Sequence, residues 1–260
     1  MKNLISNKQS LGFTLAEVLI MLAIIGVVAA MTLPTLIQNQ QKRSLEVATQ
    51  KFYSNMSQAI KKYMADEGVD DLRNIPLIEV YNDNLSDEEK NANEAKAQEA
   101  VNNFVRKYFK VVKECDSNGG CFASNYKLQN GDTFSDGTLF DGVEKYYLGH
   151  SSSFAFVIAD GMCMIMQPVS WGGPLWIHVD INGKKGPNKV GYDYWDMDIF
   201  YDGSIDEGSV TPECRKNIEC NSGWDNSASE VRENKFETCL GGLYGGCFGH
   251  FLENGFKFDY

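Results

Sequence analysis

The sequence is poor in histidine and in positive charge. It contains 3 histidines, and its 24 lysines and arginines are outnumbered by 35 aspartates and glutamates, which gives a formal net charge of −11. Proteins that bind nucleic acid obtain much of their affinity from lysine and arginine on phosphates, so this balance argues against a nucleic-acid partner. The histidines are scattered, and none lies in a recognisable catalytic or metal motif: they are His150, His178 and His250.

Cysteine is absent from the chain before Cys115, and all 7 cysteines lie in the remainder. Their spacing favours short-range disulfides, as expected in an oxidising compartment. Zinc is the rival interpretation, but no spacing has the short C-x2-C form. Cys163 is left over in an apolar run, where we expect a buried free thiol. The expected pairs are Cys115 with Cys121, Cys214 with Cys220, and Cys239 with Cys247.

A long apolar run near the amino terminus is the most informative stretch. As a helix with a rise of about 1.5 Å per residue, residues 13–33 would span roughly 30 Å, which matches the hydrocarbon core of a bilayer. The one ionisable side chain inside the run is Glu17, and a carboxylate in hydrocarbon needs a partner. The preceding segment holds Lys2 and Lys8 and no acid, so it should stay in the cytoplasm and place the rest of the chain across the membrane.

The apolar run has two plainer interpretations, a secretory signal and a simple membrane anchor. An ordinary secretory signal is disfavoured because the run is too long and lacks a small-x-small exit site. A simple membrane anchor with a stray acid is the other interpretation, since an acid near a helix end can be partly solvated.

Residues 12–17 read G-F-T-L-A-E, after a basic leader and before the apolar span. This pattern resembles the processing site of type IV prepilins and type II secretion pseudopilins. The resemblance implies that prepilin peptidase cuts after Gly12 and that the new amino-terminal residue, Phe13, is N-methylated. It implies that Glu17 is an assembly contact, paired with the terminal amine of a neighbouring subunit. Pro34 is expected to kink or locally unwind the helix, because proline removes a backbone donor.

The resemblance also implies a function. We expect a structural subunit of a type IV pilus or a type II secretion pseudopilus, not an enzyme, with no catalytic residues. The implied partners are prepilin peptidase, other pilin or pseudopilin subunits and the inner-membrane assembly machinery. Before assembly the chain would sit in the bacterial inner membrane with a periplasmic head, and afterwards in a periplasmic pseudopilus or an extracellular pilus. The alternatives are a minor tip pilin whose head is an adhesin, and a membrane-tethered periplasmic enzyme.

The predicted fold class is α+β, with a long N-terminal helix packed on an antiparallel sheet, as in the pilin fold that the resemblance implies. After Pro34 apolar residues recur at three- and four-residue steps, so the helix becomes amphipathic. The predicted regions are a leader at 1–12, a transmembrane and filament-core helix at 13–34, an amphipathic helix at 35–66 and a head at 67–260. Within the head we expect a helix with a capping box at Ser86, strands at 145–148, 153–159, 162–167, 175–180, 195–201 and 256–260, and a short helix at 244–253.

The segment 180–193 is the second informative stretch. It resembles the D-x-N-G, G-P-N, G-x-D segment in the heads of many pilin-like proteins. Asp180, Asn182 and Asp193 offer oxygen ligands for calcium. Two lysines at 184 and 185 argue against a cation, and Asn182 followed by glycine is also a hairpin-turn signal. The sequence favours the structural turn and leaves calcium open.

Enzyme motifs are weak elsewhere. Residues 149–153 lack the G-x-S-x-G spacing of a nucleophile elbow. Asp196 and Asp198 alternate on a predicted strand and share a face, but glycosidase chemistry needs a cleft that the sequence does not show. The tryptophans could line a carbohydrate site, although core packing is the default for them; they are Trp171, Trp176, Trp195 and Trp224.

Overall fold

The computed structural model of the chain describes residues 12–77, 85–116, 120–133, 154–168, 174–216, 220 and 227–260. The chain divides into two compact units, Met1–Arg43 and Ser44–Tyr260. Several predicted features lie outside the described residues: the strand at 145–148, the stretch 149–153 with His150, and Trp171 and Trp224.

Helix α1 runs from Leu15 to Glu67 and crosses the division between the two units. In the second unit it presents one apolar stripe to the head. The buried positions recur at three- and four-residue steps, which is the spacing of one face of a helix. The buried residues are Leu45, Glu46, Thr49, Phe52, Met56, Ala59 and Ile60.

Two polar residues inside this stripe have partners. The Thr49 hydroxyl donates to the carbonyl of Leu45 at 2.9 Å. The Glu46 carboxylate accepts a hydrogen bond from Lys257 Nζ at 2.8 Å and one from the backbone N–H of Phe258 at 3.0 Å. A buried polar group is costly unless it is hydrogen-bonded, so these contacts allow the stripe to be covered by the head.

The head contains a six-stranded antiparallel sheet whose strands follow one another in chain order. A tight turn at Asp160-Gly161, a sequence typical of hairpins, connects β2 to β3, with Gly161 at a φ of +83° and its N–H donating to the Ile158 carbonyl at 2.8 Å. The strands are β1 Val111–Cys115, β2 Ala155–Ile158, β3 Cys163–Gln167, β4 Leu175–Asp180, β5 Tyr194–Ile199 and β6 Ile205–Asp206. The sequence did not predict β1 and β6.

Helix α2 spans Asp87–Tyr108 and begins with the predicted capping box. The Ser86 hydroxyl accepts from the N–H of Glu89, and the Glu89 carboxylate accepts from the N–H of Ser86. The apolar face of α2 is buried, and its Phe104 meets Tyr63 of α1 edge to face, with ring centroids 5.4 Å apart. Helices α1 and α2 and the sheet therefore share one hydrophobic core.

The described residues after the sheet contain three further helices. They are α3 Pro212–Arg215, α4 Ala228–Leu240 and α5 Cys247–Glu253. Helix α5 was predicted, beginning slightly earlier; α3 and α4 were not. Helix α5 packs through Phe251 on Trp195 of β5, with ring centroids 4.5 Å apart. Trp195 is thus a core residue, 1% exposed.

The predicted final strand at 256–260 was wrong. These residues are irregular, and their polar groups pair with α1 and with the loop before β5 instead of a sheet edge. The Phe258 N–H binds Glu46 of α1, and the Tyr260 hydroxyl donates to the carbonyl of Gly191 at 2.7 Å. The Phe258 ring stacks on Tyr192 at 4.8 Å. The carboxyl end therefore ties the long helix to the loop before β5.

Truncation of the apolar stripe should destabilise the head. Met56 is 0% exposed, so Met56→Ala should lower the free energy of unfolding by about 2–5 kcal/mol, because it removes buried contacts and leaves a cavity. Lys61→Ala, at an exposed position of the same helix, is the matched control and should stay within about 0.5 kcal/mol. Urea unfolding followed by near-UV circular dichroism measures both. Equal effects of the two substitutions would contradict the packing described.

Candidate processing and assembly segment

The start of α1 is a reciprocal capping box formed by Thr14 and Glu17. The Thr14 N–H and hydroxyl both donate to Glu17 Oε2 at 2.8 Å. The Glu17 N–H in turn donates to the Thr14 hydroxyl at 3.2 Å. The sequence T-L-A-E has the Thr-x-x-Glu spacing that produces this arrangement. Gly12 and Phe13 precede it and are not helical, so the predicted cleavage position lies just before the first helical turn.

The first part of α1 is apolar on all sides and unburied. An 18-residue window of the helix has a mean hydropathy of 2.4, and none of it is buried. By length and composition the helix can cross a membrane. Large hydrophobic side chains are exposed on every face of this part of the helix, and so large an apolar surface marks a membrane or protein interaction site. They include Phe13, Leu15, Leu19, Ile20, Leu22, Ile24, Ile25, Val28, Met31, Leu33, Leu36 and Ile37.

Pro34 lies within the continuous helix α1. The residues on both sides of it are helical, so the local unwinding considered from the sequence is not seen. A proline has no N–H to donate to the carbonyl four residues earlier, so the helix lacks one backbone hydrogen bond at this point. A kink at Pro34 stays a prediction.

The loop between β4 and β5 brings the predicted calcium ligands together. Asp193 accepts hydrogen bonds from the N–H groups of Asn188 at 2.7 Å and Lys189 at 2.6 Å. Asp180 accepts from the Tyr126 hydroxyl and from the N–H of Asn182 at 3.1 Å. Burial, together with the neighbouring Asp193, raises the pKa of Asp180 to about 8. These contacts give the two carboxylates a structural role.

The same loop leaves two buried amide oxygens, Asn182 Oδ1 and Asn188 Oδ1, without a hydrogen-bond partner. Within the described ranges no group of three or more His, Cys, Asp or Glu side chains is placed to hold a metal ion. Asn182 and Gly183 lie at a bend and a turn, as the sequence favours, in a loop that spans residues 181–193 between the antiparallel strands β4 and β5 and folds around Asp193. Gly183 has a φ of +66°, and a Cβ there would lie 2.7 Å from the carbonyl oxygen of Gly161. Calcium binding stays a prediction.

Three disulfide bonds brace the head. They join Cys115 to Cys121, Cys214 to Cys220, and Cys239 to Cys247. Cys163 is buried and lies outside these disulfides, and its thiol donates to the carbonyl of Cys121. The bond between Cys239 and Cys247 connects α4 to α5 and holds the glycine-rich turn between them.

Comparison with known families finds two matches. A model described as a prokaryotic N-terminal methylation motif matches residues 7–33, which contain the predicted cleavage position, Glu17 and the apolar run at 13–33. A model described as a family of unknown function (DUF6613) matches residues 35–168, or about half of the chain. The searches of curated proteins and of solved structures found no match.

Removal of the cap should loosen the start of α1. Thr14→Val abolishes the hydroxyl bonds to Glu17, so the first-turn amides should exchange about fivefold faster with solvent deuterium, corresponding to about 1 kcal/mol for a lost N-cap. The matched control is Thr32→Val, since the Thr32 hydroxyl bonds only to the Val28 carbonyl within the helix. Mass-detected hydrogen exchange of the detergent-solubilised chain reports both. Unchanged exchange in Thr14→Val would contradict a capping role.

Proposed function

Since the chain belongs to the family of unknown function (DUF6613) and carries the prokaryotic N-terminal methylation motif, we propose that it is a structural subunit of a type IV pilus or a type II secretion pseudopilus. The observation that carries the proposal is the motif at residues 7–33, which is that of a type IV pilin-like precursor. Such a motif is typical of a structural subunit rather than an enzyme. The unburied apolar helix directly behind it supports the same function.

Processing is the first step of the proposed pathway. Prepilin peptidase cuts after Gly12 and methylates the amine of Phe13, so residues 1–12 are a leader. Because the leader contains Lys2 and Lys8, it stays cytoplasmic and the head enters the periplasm. Disulfide formation in that oxidising compartment then completes the head. In this scheme residues 13–34 form the filament core, 35–66 the amphipathic helix and 67–260 the head.

Assembly gives Glu17 its second role. Within the described part of the chain both Thr14 bonds reach the same carboxylate oxygen, Oε2. The other oxygen, Oε1, can then accept a hydrogen bond from the methylated ammonium group of Phe13 in a neighbouring subunit. Two opposite charges buried together offset part of their desolvation cost, and the pairing would set the axial register between subunits.

A second candidate is a minor subunit at the filament tip, whose head binds a ligand. The observation that favours it is a cavity of about 280 Å³ in the head, lined by carboxylates and aromatic rings. The two candidates differ in abundance, because a tip subunit occurs about once in each filament. Quantitative mass spectrometry of sheared filaments distinguishes them: a dominant chain supports the repeating subunit, and a trace chain supports the tip.

Loss of the leader should depend on Gly12. Gly12→Ala places a methyl group at the residue before the cleaved bond, so we expect the precursor to accumulate uncut when it is coexpressed with prepilin peptidase. Gly26→Ala is the matched control, because a Cβ at Gly26 meets no atom within 4 Å and should leave cleavage intact. Immunoblotting for the shift in mass measures both. Normal cleavage of Gly12→Ala would contradict the processing site.

Filament formation should depend on Glu17. We expect Glu17→Leu to be processed and inserted normally but to form few filaments, because the neighbour's ammonium loses its counter-charge. Glu67→Leu removes an exposed carboxylate at the other end of α1 and should assemble like the wild type. Electron microscopy of sheared filaments, with membrane fractionation as the check on insertion, measures both. Wild-type yields from Glu17→Leu would remove this role of the carboxylate.

A further inference from the structure

The head contains a cavity that neither processing nor assembly uses. It has a volume of about 280 Å³ and lies between strands β4 and β5, the turn after β6, helix α4 and the turn that leads into α5. Its lining includes three carboxylates, one lysine and two aromatic rings: Asp196, Asp198, Glu207, Lys235, Trp176 and Tyr244.

The pairing of β4 with β5 places Asp196 and Asp198 beside the aromatic side chains of β4. Trp176 lies opposite Asp198, and His178 lies opposite Asp196. The turn from α4 into α5 lies directly against Asp196, since a Cβ at Gly245 would be 2.7 Å from Asp196 Oδ2. The Cys239–Cys247 disulfide holds that turn, so the cavity has a constrained wall.

Asp198 differs from the acids around it. Glu207 accepts from the N–H groups of Gly208 at 3.2 Å and Gly249 at 3.0 Å. Asp206 is paired with Arg232 through two bonds of 3.0 and 2.6 Å.

The Asp198 side chain is itself buried, with 6% of the residue exposed, and no described residue donates a hydrogen bond to it. A buried carboxyl without a donor is costly, and its oxygens face the cavity.

Carboxyl groups outnumber basic side chains in the cavity. Lys235 is the one lysine or arginine among the described residues that line it, against the three carboxyl groups. Burial lowers the pKa of His178 to about 3, so this residue adds no positive charge at neutral pH. Burial also raises the pKa of Asp196 to about 8, that of Glu207 to about 7, and that of Asp198 well above its ordinary value. A cation bound among these acids would favour their ionised forms and so lower these pKa values.

We propose that this cavity binds the side-chain ammonium of a lysine, with Asp198 as the principal counter-ion and Trp176 and Tyr244 beside the alkyl chain. The volume suits an alkylammonium better than a bare metal ion, and no three of the described side chains are placed to hold a metal. Aromatic rings stabilise ammonium groups through cation–π contacts and cover the alkyl stem. The inference concerns the head alone and does not depend on filament assembly.

The variant that tests the site should remain folded. Because the raised pKa of Asp198 means that the folded state holds its proton more tightly than the unfolded state, the free energy of unfolding should fall as the pH rises above about 4. Asparagine does not ionise, so Asp198→Asn removes this decrease in the free energy of unfolding. The variant should therefore be at least as stable as the wild type at pH 8. Thermal unfolding at pH 5 and pH 8 checks the fold independently of binding.

The binding test uses the full chain in detergent micelles. The probe is N-acetyl-lysine methylamide, and its neutral counterpart is N-acetyl-norleucine methylamide, with binding followed by ligand-observed NMR at pH 8. We expect the lysine probe to bind at least tenfold more tightly than the norleucine probe, and Asp198→Asn to weaken the lysine probe at least tenfold. Glu237→Gln, which removes an exposed carboxylate from α4 outside the cavity, should change the affinity less than twofold.

Three results would overturn the proposal. The first is no preference for lysine over norleucine, and the second is full binding by a folded Asp198→Asn variant. The third is displacement of the lysine probe by equimolar calcium chloride, with Asp198→Asn losing calcium binding, since the cavity would then be a metal site.

Discussion

The apolar surface of the first half of α1 is the constraint on which the rest of the structure depends. Fifteen large hydrophobic side chains between residues 13 and 37 are exposed in the isolated chain. Burial of one such side chain stabilises by about 1.5–3 kcal/mol, so the segment needs either lipid or other apolar helices around it. The proposed subunit would meet this need with lipid while it is in the membrane and with neighbouring apolar helices once it is in a filament.

The second half of the same helix has a different environment. From Leu45 to Ile60 its stripe is covered by the sheet and α2, and the carboxyl end of the chain is tied to it through Glu46. The head is thereby built directly on the helix. Apolar periodicity explains the change, because the apolar residues surround the helix before Pro34 and form one stripe after it.

The carboxylates of the chain differ in whether a hydrogen-bond donor within the chain satisfies them. Glu17 caps its own helix, Glu46 is paired with the chain terminus, and Asp206 is paired with Arg232. Asp198 is buried without such a donor. Natural chains retain destabilising groups of this kind mainly where a binding site requires them.

Local patterns made much of the fold predictable. The motif at residues 12–17, the Ser86 capping box and the apolar strand runs are all read from neighbouring residues. Ser227 and Glu230 have the same spacing as the Ser86 box and would have revealed α4. The strand at 256–260 was predicted wrongly because the partner of its backbone, Glu46, is distant in the chain. The cavity was not predictable for the same reason, since its lining comes from five separate parts of the chain.

The most direct test of the proposed processing is the intact mass and amino-terminal peptide of the protein purified from its native membrane. We expect a chain that begins at Phe13 and carries one additional methyl group on the terminal nitrogen. A chain that still begins at Met1, with an unmodified amine, would contradict it and would leave the long helix as a simple anchor.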